Sequence, residues 1–232
     1  MLKAFYFIVS NSNLGILADC IAKNSILICS LAIAPKTVLL RPMNDFEDDI
    51  KRCIETLAKG GTILYPTDTI WGLGCDATNA AAVDKVFALK QRPKEKSMIV
   101  LLAEARDIIQ YVAAPPPDII DILESFTAPT TVIYYGALGF PDNVTGEDGS
   151  IAIRVTDEPF CKSLIKRFRK PIVSTSANLS GMPSPATFDL IDEQVAAGSD
   201  YVVKYRQDDK TPRAASRIVR LTDDGRVEIL RG

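Results

Sequence analysis

One polar stretch, residues 65–76, combines hydroxyl groups, a carboxylate and two glycines directly after a short apolar run. Such a strand-to-loop exit is where α/β folds place ligands. The stretch is neither a Walker phosphate loop nor a dinucleotide fingerprint, because no Gly-Lys-Ser/Thr follows and Ala77 stands where a third glycine would be. A plain turn, closed by the side chains of Thr67 and Asp68, stays open as the alternative interpretation.

A second stretch, residues 90–96, carries four cations at the end of a predicted helix. Arginine offers a two-pronged donor to phosphate oxygens and lysine supplies a compact charge, so the stretch is suited to a polyphosphate. The alternative is a solvated basic end that complements the helix dipole.

A third stretch, residues 174–184, contains four serines, one threonine and one asparagine after a predicted strand. Hydroxyl and amide groups fixed at a strand end can bind phosphate, ribose or a carboxylate. A fourth stretch, residues 150–154, alternates so that Ser150, Ala152 and Arg154 share one face of a strand, where the arginine can point into a cleft. An exposed serine-rich loop and an edge-strand arginine facing solvent are the alternatives.

Composition narrows the chemistry these stretches can perform. The chain has no histidine, which excludes a Ser-His-Asp triad, a histidine base and histidine-containing zinc sites. Its five cysteines are scattered, as expected for reduced thiols in a cytoplasmic protein. The formal charge of −2 excludes a chain that is basic throughout, although local basic clusters can still hold phosphates.

The elements that must position these side chains alternate between strands and helices. Helices are predicted at six places, near 44–58, 79–92, 104–112, 118–125, 157–168 and 187–197. Strands are predicted near 37–41, 62–65, 98–102, 130–135, 150–155, 171–174, 201–204, 216–221 and 227–231. This pattern predicts a single α/β domain over residues 38–232.

Residues 1–37 differ from the rest of the chain. The apolar run at 26–34 is too short to span a bilayer as a helix. The segment is expected to be an N-terminal extension that is packed on the domain, disordered, or not native because translation starts near Val38. A signal peptide is a further alternative, which the long lead-in and Asp19 disfavour. No membrane association is expected.

Together the motifs resemble the YrdC-type threonylcarbamoyl-AMP synthases in their single-domain form. Residues 66–73, the Lys90-x-Arg92-Pro93 motif, residues 151–154 and residues 176–185 occur in the family's order and at about its spacing. The combination of Lys-x-Arg with Ser-x-Asn is specific, and the resemblance covers residues 38–232. It implies a YrdC-like α/β fold, a twisted mixed sheet with flanking helices around a large concave basic cavity.

The resemblance also implies an activity. Such enzymes are nucleotidyltransferases that form threonylcarbamoyl-AMP and pyrophosphate from L-threonine, bicarbonate and ATP. Mg²⁺ is expected mainly on the ATP phosphates, with no metal site on the protein. A threonylcarbamoyl-transferase complex then modifies adenosine in tRNA, and direct contact with tRNA or other RNA is a further expectation.

Residue roles carry over from the family by position. Lys90 and Arg92 are the expected catalytic residues. The residues expected to bind ATP are Arg92, Lys96, Ser150, Ser176, Asn178, Ser184 and Arg231. The residues expected to bind threonine are Thr69, Arg154 and Ser174. Leu101 departs from the family, because relatives often carry histidine there.

Three other functions remain as alternatives. A non-catalytic module that binds tRNA or the ribosome could use the same basic surface, but aromatic residues for base stacking make up only 7% of the chain. A YrdC-like domain also occurs in hydrogenase maturation, within a larger protein whose zinc-finger cysteine pattern this chain lacks. A scaffold protein would not need polar loops at three strand ends.

Overall fold

A computed structural model of the chain describes residues 46–93, 98–221 and 227–232. The predicted strand at 37–41 and the segment 1–37 lie outside these ranges. The interpretations of segment 1–37, and the start of the domain at residue 38, therefore stay predictions.

Five α-helices occur in the described ranges. They are α1 (Glu47–Ala58), α2 (Ala80–Lys90), α3 (Ile119–Ser125), α4 (Pro159–Phe168) and α5 (Glu193–Gly198). Two short 3₁₀ helices cover Ala105–Gln110 and Phe188–Leu190. None of the described helices is long and apolar enough to cross a membrane.

Helix α2 begins where its capping residue predicts. The side chain of Asn79 accepts hydrogen bonds from the backbone N–H groups of Ala81 (3.1 Å) and Ala82 (3.2 Å). These are two of the N–H groups that a helix start leaves without partners, so the cap fixes where the helix begins.

The sequence predicts Asp157 and Thr187 as the caps of two helices, and both predictions are wrong. Helix α4 begins at Pro159, after Glu158, and Asp157 forms an ion pair with Lys162 (2.8 Å) instead of capping the helix. Proline favours the first helical position because its fixed φ suits the helix and its missing N–H is not needed there. Thr187 precedes only the 3₁₀ turn, and a separate residue, Asp192, caps α5 through the N–H of Gln194 (2.7 Å).

Nine described strands form one mixed sheet. They are β1 (Ile63–Tyr65), β2 (Gly72–Gly74), β3 (Ile99–Leu102), β4 (Thr130–Tyr135), β5 (Ser150–Val155), β6 (Ile172–Ser176), β7 (Tyr201–Val202), β8 (Arg217–Leu221) and β9 (Val227–Arg231). Their order across the sheet is β7-β1-β2-β6-β3-β5-β4-β8-β9. The pairs β1–β7, β3–β5 and β4–β8 are parallel and the others antiparallel, which confirms the predicted mixed α/β fold. Helix α1 packs against α4, and α2 against α5.

Strand β2 was not predicted. Residues 65–76 were interpreted as a loop, yet they contain a hairpin in which β2 runs antiparallel to both β1 and β6. The two glycines of β2 allow this close pairing. A Cβ atom built on Gly74 would lie 1.9 Å from the carbonyl oxygen of Val173.

We expect Gly74→Ala to lower the free energy of unfolding of the domain by about 3 kcal/mol or more, because the methyl group would collide with rigid backbone. Urea unfolding followed by circular dichroism measures this change. Gly139→Ala is the control, since nothing lies within 4 Å of the added atom and only the left-handed backbone (φ +75°) opposes it. Equal costs for the two variants would contradict the close approach of β2 and β6.

Candidate functional site

A cavity of about 400 Å³ lies over one face of the central strands. Its floor is a row of residues set by strand register, in which Ile99 of β3 pairs with Ser174 of β6 and with Ala152 of β5, and Ala152 pairs with Ile133 of β4. All four line the cavity. The volume lies within the range of pockets that bind small molecules.

Arg154 is the central charged residue of this cavity. It is 3% exposed and lies two residues beyond Ala152 on the same face of β5, as the alternation of the sequence predicts. Its guanidinium donates to Oγ1 of Thr69 (3.1 Å) and lies 3.3 Å from Oδ1 of Asp68. Its Nε–H is buried without a hydrogen-bond partner among the described residues, so the buried charge is not fully satisfied by the protein.

The loop between β1 and β2 presents Thr69 to Arg154. The Thr69 amide donates to Oγ1 of Thr67 (3.0 Å), and that hydroxyl donates to the carbonyl of Ile70 (2.8 Å). The two threonine hydroxyls are 2.9 Å apart. Because the single hydrogen of Thr67 is directed to Ile70, the hydrogen between the threonines belongs to Thr69. Oγ1 of Thr69 therefore accepts from Arg154 and keeps one lone pair for a ligand.

Two further arginines line the same cavity. Arg92 follows α2, and burial lowers the pKa of its guanidinium from the usual value. Arg231 of β9 donates to the carbonyl of Ser216 (2.8 Å) at the cavity wall. The described lining contains these three arginines and no carboxylate. An anionic ligand would be stabilised there.

Several other predicted site residues meet at this cavity. Ser174, Ser176 and Ser184 line it together with Thr69, Arg92, Arg154 and Arg231. Residues from all four polar stretches and from β9 thus converge, although the interpretation of each as an isolated turn, loop or solvated end remained open in the sequence.

Two predicted residues lie outside the cavity lining, and the position of a third is not described. Ser150 lies at the start of β5 outside the cavity lining, with its amide donating to Asp148 (3.0 Å). Asn178 turns its amide group toward the carbonyls of Leu179 (2.8 Å) and Met182 (2.6 Å). Lys96 lies outside the described residues, so its expected contact with ATP stays a prediction.

Lys90 does not line the cavity but supports the serine-rich loop, residues 174–184, through hydrogen bonds to its backbone. It is 1% exposed, and its ammonium donates to the carbonyls of Ser176 and Asn178, the latter at 2.5 Å. Its own carbonyl accepts from the amide of Ser180 (2.8 Å). Burial, aided by the charge of Arg92, lowers the pKa of Lys90 to about 8. This arrangement favours a positioning role over the predicted catalytic role.

Sequence reasoning missed the roles of Asp68 and Ser216. The first polar stretch predicts Asp68 either as a carboxylate of a ligand site or as a residue that closes a turn, whereas in the structure it lies 3.3 Å from Arg154. The Oγ of Ser216 lies 2.8 Å from that of Thr131, and both Ser216 and Arg231 line the cavity. The sequence signal for Ser216 is its place directly before β8, where relatives usually carry a Ser-Thr pair and this chain has Ser216-Arg217.

The departure at Leu101 also lies next to Arg154. Leu101 pairs with Arg154 across β3 and β5 and is fully buried, so an apolar side chain stands beside the guanidinium. Among residues 46–93, 98–221 and 227–232, no three acidic, cysteine or histidine side chains come together as metal ligands.

Comparison with known proteins gives consistent results. Residues 55–232 match the Sua5/YciO/YrdC family, whose description is "Telomere recombination". The chain is 38% identical to the threonylcarbamoyl-AMP synthase of Xanthomonas euvesicatoria over 67% of its own length and 84% of that protein. It is 41% identical to the enzyme of the same name from Pseudoalteromonas translucida, over 58% of this chain and 74% of that protein.

A solved structure shares the fold. Sua5 of P. abyssi, crystallised with L-threonine, superposes with a TM-score of 0.69 at 24% identity over 78% of this chain. The match spans 53% of the Sua5 chain, so this chain corresponds to about half of that protein.

The lowered pKa of Lys90 leads to a prediction about stability. In the unfolded chain the pKa is near 10.5, so between about pH 8 and pH 10.5 the unfolded chain binds more protons than the folded one. The free energy of unfolding of the wild type should therefore rise as the pH increases through this window. This contribution of Lys90 should be lost again as the pH falls through about 8. Relative to Lys90→Met, we expect the wild type to gain about 2 kcal/mol between about pH 7 and pH 9.5.

Urea unfolding of both proteins at each pH measures this difference. Lys85→Met is the matched control, because Lys85 lies on the same helix and also donates to a carbonyl, that of Gly60 (2.7 Å), but in an exposed position. If the two lysine variants followed wild type in parallel across the pH range, the burial of a charged Lys90 would be contradicted.

Proposed function

The chain belongs to the Sua5/YciO/YrdC family, and from that membership we propose that it is a threonylcarbamoyl-AMP synthase. It forms threonylcarbamoyl-AMP and pyrophosphate from L-threonine, bicarbonate and ATP, which makes it a nucleotidyltransferase. The names of its relatives favour this enzyme over the non-catalytic RNA-binding module. Its product supplies N6-threonylcarbamoyladenosine modification of tRNA in the cytoplasm, through a separate threonylcarbamoyl-transferase complex.

One observation carries the proposal. The residues suited to a carboxylate, Arg154 and Thr69, line the same cavity as the residues suited to phosphates, Arg92 and Arg231. A reaction that joins an amino acid to a nucleotide needs both kinds of group around one space. Burying the charge of Arg154 is costly, and an anionic ligand in the cavity would offset part of that cost.

Arg154 binds the carboxylate of threonine. Its guanidinium, which Asp68 and Thr69 hold in place, donates to that carboxylate. Charge-assisted hydrogen bonds of this kind are stronger than neutral ones and impose a direction on the ligand. The remaining lone pair of Thr69 Oγ1 accepts from the substrate amine, and Ser174 lies at the same end of the cavity.

Arg92 and Arg231 bind the phosphates of ATP. Ser176 and Ser184, on the loop that Lys90 braces, contact the nucleotide. Mg²⁺ enters on the phosphates, because magnesium keeps several waters and is usually bound through phosphates with few protein ligands. The donors that line the cavity are hydroxyls and cations, which suits a metal already carried by ATP.

The chemistry needs positioning and charge neutralisation more than a protein nucleophile. The threonine amine attacks the carbon of bicarbonate and water leaves, which gives a carbamate. A carbamate oxygen then attacks the α-phosphorus of ATP, and pyrophosphate leaves with the bonding electrons. Holding the three reactants together can lower the barrier by about 7–11 kcal/mol. Arg92 and Arg231 stabilise the charge that builds on the leaving pyrophosphate.

Pyrophosphate release tests the proposal. We expect the wild type to release pyrophosphate from ATP only when L-threonine and bicarbonate are both present. Arg92→Ala should lower kcat/KM for ATP by about a hundredfold or more, because one of the donors that stabilise the transition-state charge is lost. Arg106→Ala is the matched control, since Arg106 is 73% exposed and pairs with Glu104 away from the cavity. ATP binding without any threonine-dependent release would refute the proposed function and would favour the RNA-binding alternative.

Thr69→Val tests the amino-acid end of the cavity. Valine keeps the shape of threonine but removes the acceptor of Arg154 and of the substrate amine, so KM for L-threonine should rise about tenfold. KM for ATP should not change. Thr145→Val is the control, because its exposed hydroxyl donates only to the carbonyl of Asp142 (3.1 Å). Equal changes in both KM values would contradict the assignment of Thr69 to threonine.

A further inference from the structure

Arg206 lies in the segment after β7 and reaches the loop that carries Thr69. Its guanidinium donates to the carbonyl of Thr67 (3.2 Å) and to Oε2 of Glu158 (2.7 Å). Oδ2 of Asp209 lies 3.3 Å from its Nε and 3.2 Å from its Nη2. The side chain is 14% exposed, so this is a largely buried charge held by two carboxylates and one carbonyl.

The Thr67 carbonyl is a sensitive point of the loop. It belongs to the peptide that leads into Asp68, and Asp68 and Thr69 supply the polar side-chain contacts of Arg154 among the described residues. On the preceding peptide, the thiol of Cys161 donates to the carbonyl of Pro66 (3.3 Å). Rotation of either peptide would move Thr69 off Arg154, so the two carbonyl contacts fix the loop from outside the cavity.

The protein keeps this contact at a local cost. Arg206 has φ +65°, a left-handed conformation that disfavours residues other than glycine. Glu158 is 8% exposed, and burial raises the pKa of its carboxyl despite the nearby Arg206 charge. Its Oε1 has no hydrogen-bond partner among the described residues. Apolar side chains of similar size would often be as stable as such a buried ion pair, but they could not donate to the Thr67 carbonyl.

We propose that Arg206, held by Glu158 and Asp209, is a positioning residue for the amino-acid half of the cavity. It does not line the cavity. It acts through the Thr67 peptide, which sets where Asp68 and Thr69 meet Arg154. The proposal rests on the proposed function in one respect: threonine is the ligand whose binding is used to detect a change in the position of the loop.

Arg206→Gly is the most informative variant. It removes the guanidinium but also relieves the left-handed backbone, so the loss of contact is separated from backbone strain. We expect KM for L-threonine to rise about tenfold, with KM for ATP unchanged. Arg206→Lys keeps the charge but loses the forked geometry, and it should restore threonine binding only in part.

Two matched controls isolate the contact with Thr67. Arg169→Gly removes an exposed arginine with a similar backbone, φ +60°, at the end of α4. Arg213→Gln removes a second arginine that pairs with Asp209 (3.1 Å) and for which no contact with Thr67 is present. Both should retain wild-type KM values for threonine and ATP.

Hydrogen exchange of the peptide covering residues 64–72 provides a measurement that does not depend on catalysis. We expect exchange there to quicken in Arg206→Gly and not in either control, while peptides of α1 and β4 keep wild-type rates. If wild type released no threonine-dependent pyrophosphate, the proposed function would fail, and this exchange pattern would still decide the role of Arg206. Unchanged exchange at 64–72, or a uniform increase over the whole domain, would overturn the positioning role.

Discussion

The burial of one guanidinium is the constraint on which the site depends. Arg154 is placed on the face of a central strand, almost without contact with solvent, and a charge in that position needs partners. The partners come from the loop between β1 and β2, 85 residues earlier in the chain. The contact with Arg154 therefore constrains where that loop can lie relative to β5. Most of the polar contacts around that loop can be understood as the means of keeping it there.

Strand register does the rest of the positioning. Ser174, Ile99, Ala152 and Ile133 lie side by side because four strands pair with a fixed offset, and a slip of one residue would turn each of them to the other face. Rigid strands therefore supply the floor, whereas loops at their ends supply the hydroxyls and cations. This division lets a polar ligand site exist above a core that is otherwise apolar.

Local signals in the sequence were sufficient where the structure is determined locally. The Asn79 cap depends on neighbours two and three residues away, and the alternation in β5 placed Arg154 on the same face as Ala152. Strand β2 could not be seen this way, since its three residues offer one side chain and its pairing depends on a strand about 100 residues later. The start of α4 is also determined locally, since proline at 159 favours the first helical position and Asp157 does not cap the helix.

Long-range contacts also explain which functional roles escaped prediction. Lys90 belongs to a basic cluster in the sequence, but its ammonium donates hydrogen bonds to carbonyls that lie 86 and 88 residues away in the chain. Arg206 meets Thr67 across 139 residues, and nothing near it in the chain marks it. Cations of similar appearance thus divide into those that face the cavity and those that support its walls, and only the folded arrangement separates them.

The walls of the cavity come from residues as distant in the chain as Thr69 and Arg231. During synthesis on the ribosome, the floor strands β3 to β6 can form well before β8 and β9 have emerged. A nascent chain at that stage has its buried arginine in place but lacks Ser216, Ile218 and Arg231. The cavity therefore lacks one wall until β8 and β9 have paired with β4, and its affinity for a ligand depends on that pairing.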